Sequence, residues 1–139
     1  MQTFLPYANF GDSAAVLDSK RLGKQRVECF QILNILLGLK PFSRWKNHPA
    51  VLMWKGYENA LKLYYNYIVK EWVRRGYKNT MQLYNIDEST VIYPLWLDCT
   101  FCISHQSNLL RKNKEHYSKF FDKSIPDNLE YVWPVRKEK

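Results

Sequence analysis

The 139-residue chain carries 21 Lys and Arg against 13 Asp and Glu, a formal charge of +8 with a pI near 9.4, and 46% of it is hydrophobic with seven Phe, ten Tyr and five Trp. That length supports one core rather than two, so residues 1–139 are read as a single domain, and the apolar fraction excludes intrinsic disorder. The charge suits a polyanion-binding surface, with nucleic acid as the leading partner, although a merely soluble basic protein would show it too.

The longest apolar run, ILNILLGL from Ile32, is interrupted by Asn34 and falls far short of a membrane span, so no membrane partner is expected. The start MQTFLPYANF has neither the cationic beginning nor the apolar stretch of a secretory signal. Three cysteines fit a reducing compartment. An intracellular protein, in cytoplasm or nucleoid, is expected.

Asp12 and Ser13 offer capping oxygens before AAVLDSKRL, which predicts a helix from there to Gly38 and Pro41, with Gly23 as a possible bend. Val27, Phe30, Leu33 and Leu37 recur at helical spacing and are expected in the core. The same spacing sets Lys20, Lys24 and Glu28 along one polar face. The loop FSRWKNHPAV follows, with Asn47 or His48 as a cap and Pro49 in a first turn.

A second helix is expected over residues 50–75. Val51, Trp54, Leu61, Tyr65, Ile68 and Trp72 form its stripe, broken only by Glu58, and Arg74, Arg75 and Gly76 close it. Residues 77–93 read as loop. A third helix begins near Asp98 and runs through CTFCISHQSNLLRK, with a short helical piece around KEHYSKFF. The two prolines of IPDNLEYVWPVRKEK predict an extended tail, with Tyr131 and Trp133 packed back on the domain and the last charges frayed. The expected fold is therefore all-α, a compact domain of three main helices with a short extra helix and an extended C-terminal tail.

Cys99, Cys102 and His105 form C-x-x-C-x-x-H, which could supply three zinc ligands with Cys29 as a fourth. No second ligand pair accompanies them, and small thiols on one helix face serve packing equally well, so no metal is assigned. Walker, dinucleotide and G-x-S-x-G motifs are absent, and no cofactor is expected. In SHQSNLLRK, His105, Asn108 and Lys112 share a face suited to phosphate contacts or to simple solvation, with Leu109 and Leu110 turned to the core. Trp45, between Arg44 and Lys46, could stack on a nucleobase or cover the end of the core.

The stretch LDSKRLGKQRVE, Leu17 to Glu28, sets one carboxylate among four cations. A carboxylate on a phosphate-binding surface opposes binding, whereas on an exposed helix it would only pair with Lys24 for about 0.3–0.5 kcal/mol. Read with MQTFLPY, NHPAVLMWKGYENAL, RRGY, SHQSNLLRK and YVWP, this stretch resembles the small all-helical pyrimidine-dimer DNA glycosylases, in particular a branch whose members begin MQTF. In that family an N-terminal α-amine attacks C1′ of a damaged nucleotide, releases the base and forms an imine, and β-elimination then nicks the strand. A helix glutamate assists, and alignment on Leu22 puts Glu28 at its position.

The family's amine belongs to a threonine exposed by removal of the initiator Met, whereas position 2 here is Gln, large enough for the Met to be retained. The Met1 amine, Lys20 or Lys24, or a water molecule thus remain as candidate nucleophiles. The resemblance also departs at Arg21, which stands where the family's more distant viral members have a histidine. The resemblance implies a DNA-repair glycosylase with abasic-site lyase activity on damaged or modified pyrimidines, acting as a monomer on duplex DNA; the alternative is a non-enzymatic nucleic-acid-binding protein. Glu28 and Met1 are the catalytic candidates. Lys20, Arg21, Lys24 and Arg26 are the expected DNA contacts, with Arg44, His48, His105, Asn108 and Arg111 as neighbours.

Overall fold

Asn9, ahead of the expected start, caps the first helix by accepting the Asp12 N–H at 2.9 Å. A computed structural model describes residues 1–135, and the terminal charges expected to fray lie outside the described residues. The single helix expected up to Gly38 is two, α1 (Phe10–Val16) and α2 (Ser19–Leu36). Between them Leu17 and Asp18 are extended and buried. The break is held from a distance: the Asp18 N–H donates to the Tyr117 oxygen at 3.0 Å, and the Tyr117 hydroxyl donates to the Asp18 carboxylate. That carboxylate also pairs with Arg21 at 3.0 Å.

Gly23 does not bend α2. A Cβ there would lie 3.0 Å from the Trp72 indole, so the glycine lets the two helices approach closely. The core face of α2 is Leu22, Gln25, Cys29, Ile32 and Leu33; Val27, Phe30 and Leu37 are exposed instead, and of the expected stripe only Leu33 is buried.

The second expected helix is also divided, into α3 (Pro49–Leu52) and α4 (Glu58–Arg74). Gly56 turns the chain between them at φ +88°, and the Glu58 carboxylate accepts its N–H at 2.7 Å. Glu58 thus stands at the first residue of α4, where the helix dipole favours a negative charge. Trp54, in the turn, is fully buried and stacks on Tyr64. The expected end holds: Arg75 caps α4 and Gly76 follows at φ +91°. Arg75 also ties α4 to the first break, donating to Glu71 at 2.7 Å and to the Ala15 carbonyl at 3.1 Å.

Residues 77–98 are irregular save a 3-10 turn at Glu88–Thr90. Asp98 caps α5 (Cys99–Lys112), and α6 (Lys114–Tyr117) follows at once. The described residues therefore form an all-α fold without strands, with six helices rather than three and one extra. The three long ones are α2, α4 and α5; α2 lies along α4 at the centre, and α1 packs on α4.

Thr3 to Pro6 run buried through this body without helix or strand, so their polar groups need side-chain partners. The Phe4 N–H donates to Gln25 Oε1 at 2.9 Å, and the Phe4 carbonyl accepts the Tyr64 hydroxyl. The Leu5 N–H donates to His105 Nδ1 at 2.9 Å, while the Thr3 and Pro6 carbonyls accept from Tyr131 at 2.6 Å and Gln106 at 2.7 Å. The other side of α5 holds the tail, where Ser107 Oγ accepts the Leu129 N–H at 2.9 Å and Asn108 donates to the Leu129 carbonyl. Tyr131 stacks on His105, and Trp133 packs on Tyr131.

His105 is fully buried between Phe101 and Tyr131, and burial pushes its pKa down to about 3. Its Nδ1 accepts from Leu5, so the proton sits on Nε2. Because the unfolded chain takes up a second ring proton near pH 6.5 and the folded one does so only near pH 3, stability is lost as pH falls from 6.5 toward 3. Urea titration at pH 7 and pH 4.5 should show a loss from this group of roughly 2–3 kcal/mol, which His105→Gln removes.

Candidate nucleic-acid interface and active site

The polar face of α2 forms one wall of a small cleft of about 130 Å³. Lys20, Arg21 and Lys24 rise from its first turns, Glu28 lies one turn further, and Gln2, Phe4 and Gln25 form the floor. Lys112, at the end of α5, closes the opposite side with its ammonium 5.9 Å from the Phe4 ring. The helical spacing that placed Lys20, Lys24 and Glu28 together is what the structure uses.

Glu28 is half-buried, and its pKa is raised by that burial. Smaller effects oppose the rise: the positive α-amine of Met1, a hydrogen bond from the Gln2 N–H, the charge of Lys24, and a hydrogen bond from Gln25. Gln25 Nε2 stands 3.1 Å from Glu28 Oε2 and 2.7 Å from the Gln2 carbonyl. Neither the amine nor Lys24 closes to ion-pair distance on Glu28 among the described residues. Glu28 thus lines the cleft with Gln2, and the Met1 amine acts on it through its charge rather than through an ion pair.

Gln25 is the link between terminus and helix. Only 1% exposed, it receives the Phe4 N–H on its oxygen, with the Tyr64 hydroxyl 3.1 Å away, and gives both amide protons away, to Gln2 and Glu28. The sequence reading missed this residue, because a glutamine three positions before Glu28 looks like any surface glutamine. Of the face His105, Asn108 and Lys112 that the sequence marks as suited to phosphate contacts, Lys112, which is not among the final set of expected contacts, is the one that lines the cleft.

Several expected contacts lie elsewhere. His105 and Asn108 are buried in the supports of the two chain ends and present nothing to a phosphate. Arg111 is at the surface, bonded to Asn108 and to the Asp127 carbonyl. Arg26 turns out of the cleft, lies 4.8 Å over the Trp72 ring and donates to Asn79 at 2.8 Å. His48 caps α3, its Nδ1 accepting the Ala50 N–H at 3.0 Å. Arg44 is exposed in the loop before α3. Cys29 and Cys102 are buried and Cys99 is exposed, and no group of three possible metal ligands occurs among the described residues.

A half-buried carboxylate thus stands among cations in a cleft that Gln2, next to the terminal residue, helps to line. Residues 1–85 match the pyrimidine dimer DNA glycosylase family, which is 85 of 139 positions, and the chain belongs to that family, with the general DNA-repair role it carries. The matched span contains α1 to α4 and every residue of the cleft except Lys112. No curated protein and no solved structure matches the chain. No helix among the described residues is long and apolar enough to cross a membrane.

Gln25→Leu should lower the unfolding free energy by at least about 2 kcal/mol, since it strands buried partners costing roughly 1–3 kcal/mol each; chemical denaturation reads this directly. Lys24→Ala removes a charge that holds the Glu28 pKa down. A carboxyl-carbon NMR titration should therefore show Glu28 protonating at higher pH in the variant than in the unsubstituted protein.

Proposed function

We propose that the protein is a DNA-repair glycosylase that acts on duplex DNA and uses the α-amine of Met1 as nucleophile, with Glu28 as its acid–base partner. The observation that carries this reading is the cationic cleft: the Glu28 carboxylate stands there among Lys20, Arg21, Lys24 and Lys112, Gln25 ties it to the Gln2 carbonyl, and the α-amine of the neighbouring Met1 is near enough to lower the Glu28 pKa. Lys20, Arg21, Lys24 and Lys112 suit the phosphates flanking a target nucleotide.

The chemistry needs the amine unprotonated. α-Amines as a class titrate at about 7.7–8.0, against about 10.4 for lysine side chains, which favours the terminus over Lys20 or Lys24. Attack forms an N–C1′ bond as the C1′–base bond breaks, and the base leaves with the bonding pair and takes up a proton. The Glu28 carboxylate accepts the proton shed by the amine and steadies positive charge on the sugar. The nitrogen lone pair then forms C=N as O4′ leaves with the C1′–O4′ bonding pair and takes the proton back from Glu28, which gives the protonated imine. Loss of a C2′ proton and departure of the 3′ phosphate nick the strand. The raised pKa of Glu28 suits it to exchange protons nearer neutrality than an ordinary glutamate.

Borohydride should trap a covalent adduct on a duplex with one abasic site, and peptide mapping should find it on the first peptide of the chain. Glu28→Gln should reduce strand cleavage by about 10²–10⁴-fold, the usual scale of acid–base assistance, while DNA binding persists or tightens. An adduct on Lys20 or Lys24 would move the nucleophile. Binding without any adduct or cleavage would overturn the enzymatic reading in favour of a nucleic-acid-binding protein.

A further inference from the structure

The C-x-x-C pair has no part in the cleft. α5 carries Lys112, beside the cleft, as its last residue and Cys99 as its first, about 20 Å away along the helix axis. Packing accounts for Cys102, which is 7% exposed and joins the core, but not for Cys99, which is open to solvent. Cys29, the third cysteine, is fully buried on α2. All three thiols are free, and no group of three possible metal ligands occurs among the described residues, which leaves thiol chemistry for the pair.

Residues three apart in an α-helix are neighbours on one face, with Cα atoms about 5 Å apart and Cβ atoms about 5–6 Å apart. A disulfide takes Cα separations of about 4.4–6.8 Å and Cβ separations of about 3.5–4.5 Å. The Cα spacing fits, and an approach of roughly 1–2 Å is needed at Cβ. Position 99 can supply it, because the first N–H of a helix has no partner inside the helix and the chain before Asp98 is a turn. The movement pulls on the cap that the Asp98 carboxylate makes with the Phe101 N–H at 2.9 Å. Disulfides that are strained or exposed are the easily reduced ones.

The two positions also set an order of events. Cys99 is reachable from solvent and stands where the dipole of α5 favours negative charge, and the thiolate is the form that attacks. Burial pushes the Cys102 thiol up to about 12, and Asp98 and Cys99 add to the rise, so it stays a thiol while Cys99 reacts.

We propose that Cys99 and Cys102 form a reversible thiol–disulfide site, oxidised by small disulfides of the glutathione class, with Cys99 attacking first and Cys102 closing the bridge. The Cys99 thiolate attacks one sulfur of the small disulfide. Its S–S bond breaks, and one thiolate leaves with the bonding pair and takes up the proton that Cys99 shed. The Cys102 sulfur then attacks the Cys99 sulfur of the mixed disulfide, and the second thiolate leaves with its pair and the Cys102 proton. Two protein thiols are oxidised to one disulfide, and one small disulfide is reduced to two thiols. Such a bridge suits a compartment where disulfides are transient and sense redox state. The site goes beyond the proposed function and does not depend on it.

The test holds the reduced full-length protein in buffers running from a large excess of reduced glutathione to a large excess of oxidised glutathione. Free thiols are then blocked with iodoacetamide, and tryptic peptides are weighed. One peptide, residues 79–111, carries both cysteines with no Lys or Arg before its end, and Cys29 lies on another. Toward oxidised glutathione this peptide should lose two hydrogens and carry no glutathione, and transfer back to reduced glutathione should return both thiols. Cys102→Ala should instead accumulate glutathione on Cys99, and Cys99→Ser should give neither bridge nor adduct.

Glutathione retained on Cys99 of the unsubstituted protein would make that residue an ordinary exposed thiol and overturn the site. Disulfide-linked pairs of chains, a bridge to Cys29, or both thiols blocked in every buffer would overturn it as well. An adduct on Cys102 in Cys99→Ser would overturn the order of attack. The deciding pattern is read from the unsubstituted protein, so it holds even where Cys102→Ala folds poorly.

Discussion

Residues 3–6 are buried yet belong to no helix or sheet, so the hydrogen bonds their backbone would make to water have to come from side chains. The donors and acceptors that meet this need arise from α2 (Gln25), α4 (Tyr64), α5 (His105, Gln106) and the tail (Tyr131). Each element is therefore fixed to the amino end as well as to its neighbours. An apolar core alone would tolerate small slides of one helix on another; directed bonds to one extended segment do not. The same bonds that satisfy the segment also aim its first residues at Glu28.

The electrostatics of the cleft follow from this placement. A carboxylate that is half removed from water is costly in its charged form, and here the cations and N–H groups around Glu28 only partly offset that. Gln25 divides its amide between the Gln2 carbonyl and Glu28, so the position of the terminus and the environment of the carboxylate cannot vary independently. Charges of both signs thus share one cleft, with Lys20, Arg21, Lys24 and Lys112 giving it a net positive field around the single carboxylate.

What could be read in the sequence were features set by near neighbours: the end of α4 at Arg75 and Gly76, the Asp98 cap, the return of Tyr131 and Trp133, and the face shared by Lys20, Lys24 and Glu28. What could not be read depends on distant partners. The break at Leu17 and Asp18 answers to Tyr117, 99 residues away. Gln25 displaces the expected apolar phase of α2 because the segment it bonds is buried beside it, which leaves Phe30 outside. SHQSN has the composition of a solvated helix face, and only the arrival of both chain ends at α5 turns those polar residues inward. Arg26 looked like its neighbours, but Trp72 and Asn79 draw it away.

The supports of the amino end are spread over the entire chain, and this has a consequence for synthesis. Thr3 leaves the ribosome first, but Tyr131, which holds its carbonyl, follows 128 residues later. At about 5–20 residues per second, that delay is on the order of ten seconds. Throughout it the buried segment has no lasting partners, and contacts of such long range are also the slowest to form once the chain is free. A nascent or truncated chain can therefore build its central helices before its first residues are fixed beside Glu28, so the geometry of the cleft arrives late in synthesis rather than with the first folded part.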